Sequence, residues 1–273
     1  MCNWRISGYN HMEHILFKKV DRLGAVCLAC QAVVCFAKPY AEYRNKLNLK
    51  IVFKIHNTEN IKEVNMSNTK VFVSSVLAGT CIGFGGIIYL MSSNKVLGSM
   101  FFAIGLLTIC SYGLHLYTGK VCYVCQNDKK FALQIPVIWF GNLIGTGITA
   151  LIVLATRNGA AIAEAAAAVC EVKMNDSWLS LFLLGVFCNI MIYISVEGYN
   201  KIQYEMGKYI SLFFGVMVFI LSGFEHSIAD MFYFWAAGNW SADSIIRLLV
   251  ITLGNAAGGI VFAETKRYIC EKR

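Results

Sequence analysis

The chain has 273 residues, of which 57% are hydrophobic and only 15% charged, and its mean hydropathy is +0.57. A soluble domain carries nearer a quarter charged residues, so this balance excludes an ordinary water-soluble enzyme or binding module and points to a polytopic membrane protein. The net charge of +8 comes from 24 Lys and Arg against 16 Asp and Glu, and the basic residues sit between long apolar runs. They are read as cytoplasmic loops, not as a nucleic-acid footprint.

Residues 1–65 stand apart. They hold ten Lys and Arg against five Asp and Glu, and their one apolar run, 24–37, is too short to cross a bilayer. The basic flank imitates a signal peptide, but no clear small-x-small cleavage pattern follows. The segment is treated as a basic N-terminal extension ahead of a six-span domain over 66–273. Both an interfacial helix and upstream sequence preceding a start at Met66 remain open for it.

Six stretches are long enough to span, at 71–92, 96–119, 131–156, 177–196, 209–234 and 244–263. Four carry no formal charge; the fifth holds Glu225 and His226, and the sixth holds Arg247 near its start. Lys129 and Lys130 follow the second stretch, Lys201 and Lys208 the fourth, and Lys266, Arg267, Lys272 and Arg273 the sixth. The other three loops hold Lys95, then Arg157 and Lys173, and between 231 and 244 none. The positive-inside rule therefore places both termini in the cytoplasm, in a cell inner (plasma) membrane.

A repeat emerges when the spans are taken in threes. The third span contains Gly141-Asn142-Leu-Ile-Gly145 and the sixth Gly254-Asn255-Ala-Ala-Gly258. Three spans per half, an odd number, force the halves into opposite orientations, the inverted-repeat plan of many transporters. The middle spans also look interrupted, around Gly113 to Gly119 and around Gly223 to Ser227. Glycine beside small hydroxyl residues is where a membrane helix can break, provided that the freed backbone lines a protein cavity. Paired breaks are a sequence pointer to a permeation site.

The candidate functional residues gather there. His226 and Glu225 are ionisable groups in mid-span, where such groups are costly and usually functional. His226 is read as a proton relay to a weak-acid anion, against the plainer reading of a packed, hydrogen-bonded ring. Glu225 is read as tying backbone or spans together. Thr118 lies in the opposite break, and Asn189 and Asn255 are placed to hold the broken segments or to hydrogen-bond substrate. His115, three residues ahead of Thr118, is either structural or a vestibule residue. Lys173, in an outer loop, is either simply solvated or an anion-gathering group. Phe102, Leu106, Leu116, Tyr117 and Phe219 would be core in a solid bundle; in a pore they form apolar constrictions that keep the passage dry.

Two Cys-x-x-Cys pairs, Cys27/Cys30 and Cys122/Cys125, occur among eleven cysteines. Neither comes with the partners or the βαβ context that a metal or redox site needs, so they are read as small hydrophobic thiols.

These blocks resemble the formate–nitrite transporters over about residues 69–265. Gly223-Phe224-Glu225-His226-Ser227-Ile-Ala-Asp-Met231 resembles the family's central-histidine motif, Gly185-Val-Phe-Cys188-Asn189 its fourth-span motif, and Leu116-Tyr117-Thr118-Gly119 its second-span loop. The chain departs from the family pattern at His115, where an acidic residue is usual, at Tyr117 in place of Phe, and at Tyr193 in place of Cys. The resemblance implies an all-α, six-span, aquaporin-like fold with broken second and fifth spans, assembled as a homopentamer with a pore in each protomer. It puts Phe102, Leu106 and Phe219 on constriction positions.

The implied function is a channel or proton-coupled transporter for small monovalent anions such as formate, nitrite or hydrosulfide, with protons and the lipid bilayer as further partners. No cofactor, metal or enzymatic activity is expected. A neutral small-solute pore of aquaporin type is the alternative. It is disfavoured by Glu225 and His226, and by the presence of only two prolines, Pro39 and Pro136, which rules out paired Asn-Pro-Ala turns. A membrane redox enzyme would need further histidines within the spans.

Overall fold

The computed structural model describes residues 66–271, and all of its regular structure is helical. The basic extension, with its apolar run and the Cys27/Cys30 pair, lies outside the described residues. The elements are α1 (Asn68–Met91), α2 (Lys95–Tyr112), the single-turn α3 (Tyr117–Lys120) leading into a 3-10 turn (Val121–Gln126), α4 (Lys129–Leu154), α5 (Gly159–Asn175), α6 (Trp178–Lys201), α7 (Glu205–Leu221), α8 (Ser227–Ala237) and α9 (Ala242–Glu271).

The starts follow from local chemistry. Ser67, Asn94, Asp128 and Ser177 each turn a side-chain oxygen onto an otherwise unpaired backbone N–H in the first turn of α1, α2, α4 and α6. Five helices, α1, α2, α4, α6 and α9, are long and apolar enough to cross a membrane. Only 39% to 44% of the most apolar stretch of each is buried, so apolar side chains such as Leu133, Phe140, Phe187 and Leu253 cover the outside. That surface suits lipid or a partner protomer and not water. Three buried hydroxyls are satisfied within their own helices: Ser75 donates to the Val71 carbonyl, Thr149 to Gly145 and Thr252 to Leu248.

The sequence's second and fifth apolar stretches are each divided. The chain leaves α2 at Gly113, with φ of 63°, and re-enters a helix at Tyr117; it leaves α7 through Gly223, with φ of 67°, and re-enters at Ser227. A left-handed residue at a helix end is tolerated by glycine at little cost. In both places the residue after the glycine closes the helix by donating backward, Leu114 N to Ile109 O and Phe224 N to Phe219 O, at 2.9 Å each.

Small residues let the neighbours of these broken segments pack closely. A Cβ on Gly145 would run into the Val76 carbonyl of α1, and one on Gly258 into the Val186 carbonyl of α6. The Gly-x-x-x-Gly pairs thus act inside the protomer, joining α4 to α1 and α9 to α6. Gly145→Val and Gly258→Val are expected each to cost about 3 kcal/mol or more and to lower the melting temperature in detergent. Leu133→Val, at a position 75% exposed on the protomer, should leave it nearly unchanged; equal melting temperatures for all three would refute the close packing.

Candidate functional site

A broken helix in an apolar setting leaves N–H and C=O groups that have no water to bond. Two asparagines satisfy them in the same way. In the first break, Asn142 Oδ1 accepts from Tyr117 N at 2.8 Å, while its Nδ2 donates to Ser75 O at 2.7 Å and His115 O at 3.0 Å. In the second, Asn255 Oδ1 accepts from Ser227 N at 3.0 Å, and its Nδ2 donates to Gly185 O and Glu225 O at 2.8 Å each. Both asparagines are fully buried. Asn189 supports the second clamp, donating through Nδ2 to the Asn255 carbonyl at 2.7 Å.

The breaks meet at two side chains. Thr118 Oγ1 lies 2.9 Å from His226 Nε2, both buried. His226 also caps α8, its Nδ1 accepting from Ala229 N at 3.1 Å. An accepting Nδ1 must carry the lone pair, so in the neutral ring the proton sits on Nε2 and donates to Thr118, whose own hydroxyl hydrogen is left to point elsewhere. The ring stacks on Phe219 at 5.6 Å, and Phe219 meets Phe102 edge-on at 6.1 Å.

Phe102, Phe219 and His226 line one cavity of about 220 Å³. Its polar wall is a charged cluster. Lys173 Nζ bonds the Glu225 carboxylate and stands 3.0 Å from Asp230 Oδ1, with all three side chains less than a tenth exposed. Lys173 is therefore a buried, doubly paired residue of α5 and not a solvated loop lysine. Its ammonium also lies 5.9 Å from the Tyr233 ring centre. The α5 terminus is fixed by Arg247 of α9, which donates to the Lys173 and Asp176 carbonyls at 3.0 and 2.7 Å.

The other sequence-predicted residues fall elsewhere. Leu106 and Leu116 are buried, and Tyr117 turns its hydroxyl to the Thr252 carbonyl at 3.2 Å; the lining of this cavity includes none of the three. His115 lies within the first break itself, buried, with Nδ1 2.8 Å from Ser74 Oγ. Cys122 is buried and donates to the Thr118 carbonyl while Cys125 is exposed, and both are free thiols. Sequence reasoning missed Asn142 and Asp230. The paired Gly-Asn motifs carried the signal for the first; an acidic residue four positions after His226 carried it for the second.

Replacing either clamp should strand two backbone groups of its break, Tyr117 N and His115 O or Ser227 N and Glu225 O, each unpaired group costing about 1–3 kcal/mol. Asn142→Ala and Asn255→Ala are therefore expected to lower the melting temperature steeply and to a similar degree. Thr156→Ala, at an exposed hydroxyl, serves as the reference, and a clamp variant as stable as that one would exclude the structural role.

A sequence-family model described as formate/nitrite transporter matches residues 50–269. A "Probable formate transporter" of Methanothermobacter thermautotrophicus is 28% identical over 71% of this chain and 85% of its own length. Nitrite transporter NirC of Escherichia coli K12 is also 28% identical, over 76% of this chain and 85% of its own. Among solved structures, a "Pentameric formate channel with formate bound" superposes with a TM-score of 0.64 at 25% identity, covering 79% of this chain and all of that one. With its apolar helices, its paired breaks and a match of this extent, the chain is a multi-pass membrane protein that belongs to the formate/nitrite transporter family.

Proposed function

We propose that this protein is a channel or proton-coupled transporter for small monovalent anions, formate, nitrite or hydrosulfide, acting as a homopentamer with one pore in each protomer. The observation that carries this reading is the buried Thr118–His226 contact at 2.9 Å, where the two helix breaks meet beneath Phe102 and Phe219. The similar solved channel is described as pentameric and formate-bound, and the curated relatives as formate and nitrite transporters.

On this reading the five long helices and the divided pair α7–α8 make six spans. Two inverted halves are each built from three spans, and both termini lie on the cytoplasmic side of the inner membrane. Residues 66–273 form the channel domain, and 1–65 are an extension to it.

The energetics favour passage as the neutral acid. A bare charge at the bilayer centre costs several kcal/mol or more. Protonating a carboxylate of pKa near 3.5 at pH 7 costs only about 5 kcal/mol, at about 1.4 kcal/mol per unit. A site that delivers a proton at the constriction brings the two costs together. His226 is the residue that hands over the proton, and Thr118 orients the ring and hydrogen-bonds the anion. Asn189 and Asn255 hold the second break in register, while Lys173 and Glu225 set the charge at the cavity wall. Phe102, Leu106, Leu116, Tyr117 and Phe219 exclude water, so that hydrated ions do not leak through.

His226→Phe should abolish proton-coupled flux in proteoliposomes without dispersing the oligomer. His226→Asn keeps a polar group that cannot titrate, and should retain passive anion conductance with a changed pH profile. Flux per folded protein between pH 5 and 8 decides this, because a packing role for His226 predicts wild-type profiles in both variants. For the orientation, a reporter fused after Arg273 should read out on the cytoplasmic face; an external signal would overturn it.

A further inference from the structure

The cavity wall sets two carboxylates against one ammonium. Lys173 bonds Glu225 and lies 3.0 Å from Asp230, whose side chain is only 2% exposed. Fully ionised, the cluster carries one net negative charge; with one proton bound it is neutral. An unbalanced charge taken out of water is costly, and a second buried partner would be needed to offset it. The groups facing Asp230 do not supply one. They are Glu225 and His226 from the break, Tyr233 from α8, Tyr89 from α1, Cys170 from α5 and Cys188 from α6. Arg247 of α9 directs its guanidinium to Asp243 and to the carbonyls of Lys173 and Asp176. Asp230 Oδ2 is buried and receives no hydrogen bond from any donor among the described residues; it lies beside the Glu225 carboxylate, on a side chain that lines the cavity.

We propose that Asp230 is a proton-binding residue that governs anion access to this cavity. The idea rests on the anion-transport reading above. When Oδ2 takes a proton from the cavity, the cluster is neutral and an approaching anion meets no net charge. When the proton leaves, the wall carries one negative charge and repels the same anion. At a separation of about 10 Å and an intermediate effective dielectric, that repulsion changes anion occupancy roughly tenfold. Asp230 thus makes access open in acid and restricted in alkali, upstream of any proton transfer by His226.

The test compares wild type with Asp230→Asn, which preserves an oxygen for Lys173 and fixes the cluster as neutral. Formate and nitrite flux per folded protein is measured in proteoliposomes from pH 5 to 8. The variant should match wild type near pH 5 and exceed it about tenfold near pH 8. A variant-to-wild-type ratio that stays constant across this range overturns the proposal. Infrared pH-difference spectra supply a readout independent of transport: wild type should show the carbonyl band of a protonated carboxyl, and Asp230→Asn should lack it. A band that persists in the variant also overturns the proposal. If wild type conducts neither anion, the transport reading fails while the infrared result still decides the proton site. Should Asp230→Asn not fold, Asp230→Glu must displace the wild-type band, and an undisplaced band refutes the assignment.

Discussion

A helix cannot be broken inside an apolar layer unless its freed backbone groups are bonded by protein, and the architecture turns on how that is done twice. Asn142 and Asn255 each bond one N–H and one C=O released by a break and spend the remaining donor on a carbonyl of the neighbouring helix, at 2.7–3.0 Å. The carboxamide suits this because one planar group both accepts and donates. The close packing of α4 on α1 and of α9 on α6 follows from the same requirement. Each asparagine must reach a carbonyl on the neighbouring helix, Ser75 or Gly185, and small residues at Gly145 and Gly258 let the backbones come near enough.

The charged cluster depends in turn on the second clamp. Glu225 is held by its carbonyl to Asn255 and by its backbone N–H to the Leu184 carbonyl at 3.3 Å, so its carboxylate has little freedom of position. Lys173 is placed from the other side by Arg247 at the end of α5. A buried ion pair contributes little to stability by itself, since desolvation offsets the attraction. Its retention here at three side chains on three elements fits a role at the cavity wall better than a role in holding the fold.

Much of this was legible in the sequence. Apolar stretches of about 20 residues announce membrane helices whatever their packing, and glycines beside small hydroxyl residues pointed to both interruptions. His226 stood out because a titratable group in mid-span is rare. The pairing of Lys173 was not legible: it comes from α5 folding back onto the second break, a contact across 52 residues that no local pattern encodes. Nor were the lining residues separable from plain core. Spans facing lipid on one side and protein on the other are apolar all round, so Leu106 and Phe102 look alike in sequence although the cavity lining includes Phe102 and not Leu106.

The two breaks share a backbone but not a chemistry, and this difference shapes the site. Counted from the left-handed glycine, the third residue is Leu116 in one break and His226 in the other, while the fifth is Thr118 in one and Ile228 in the other. Each break thus presents one polar side chain where its counterpart is apolar, and the two that remain face each other as an imidazole and a hydroxyl. Two facing imidazoles would compete for one proton, and two hydroxyls would have none to exchange near neutral pH. In the neutral ring one proton sits at a defined atom, Nε2, held between an imidazole that accepts from Ala229 N and a hydroxyl that receives it. On the proposed anion-transport reading this is the atom that a passing weak acid meets, and a matched pair of clamps carrying unmatched side chains is a simple way for two similarly built breaks to present it.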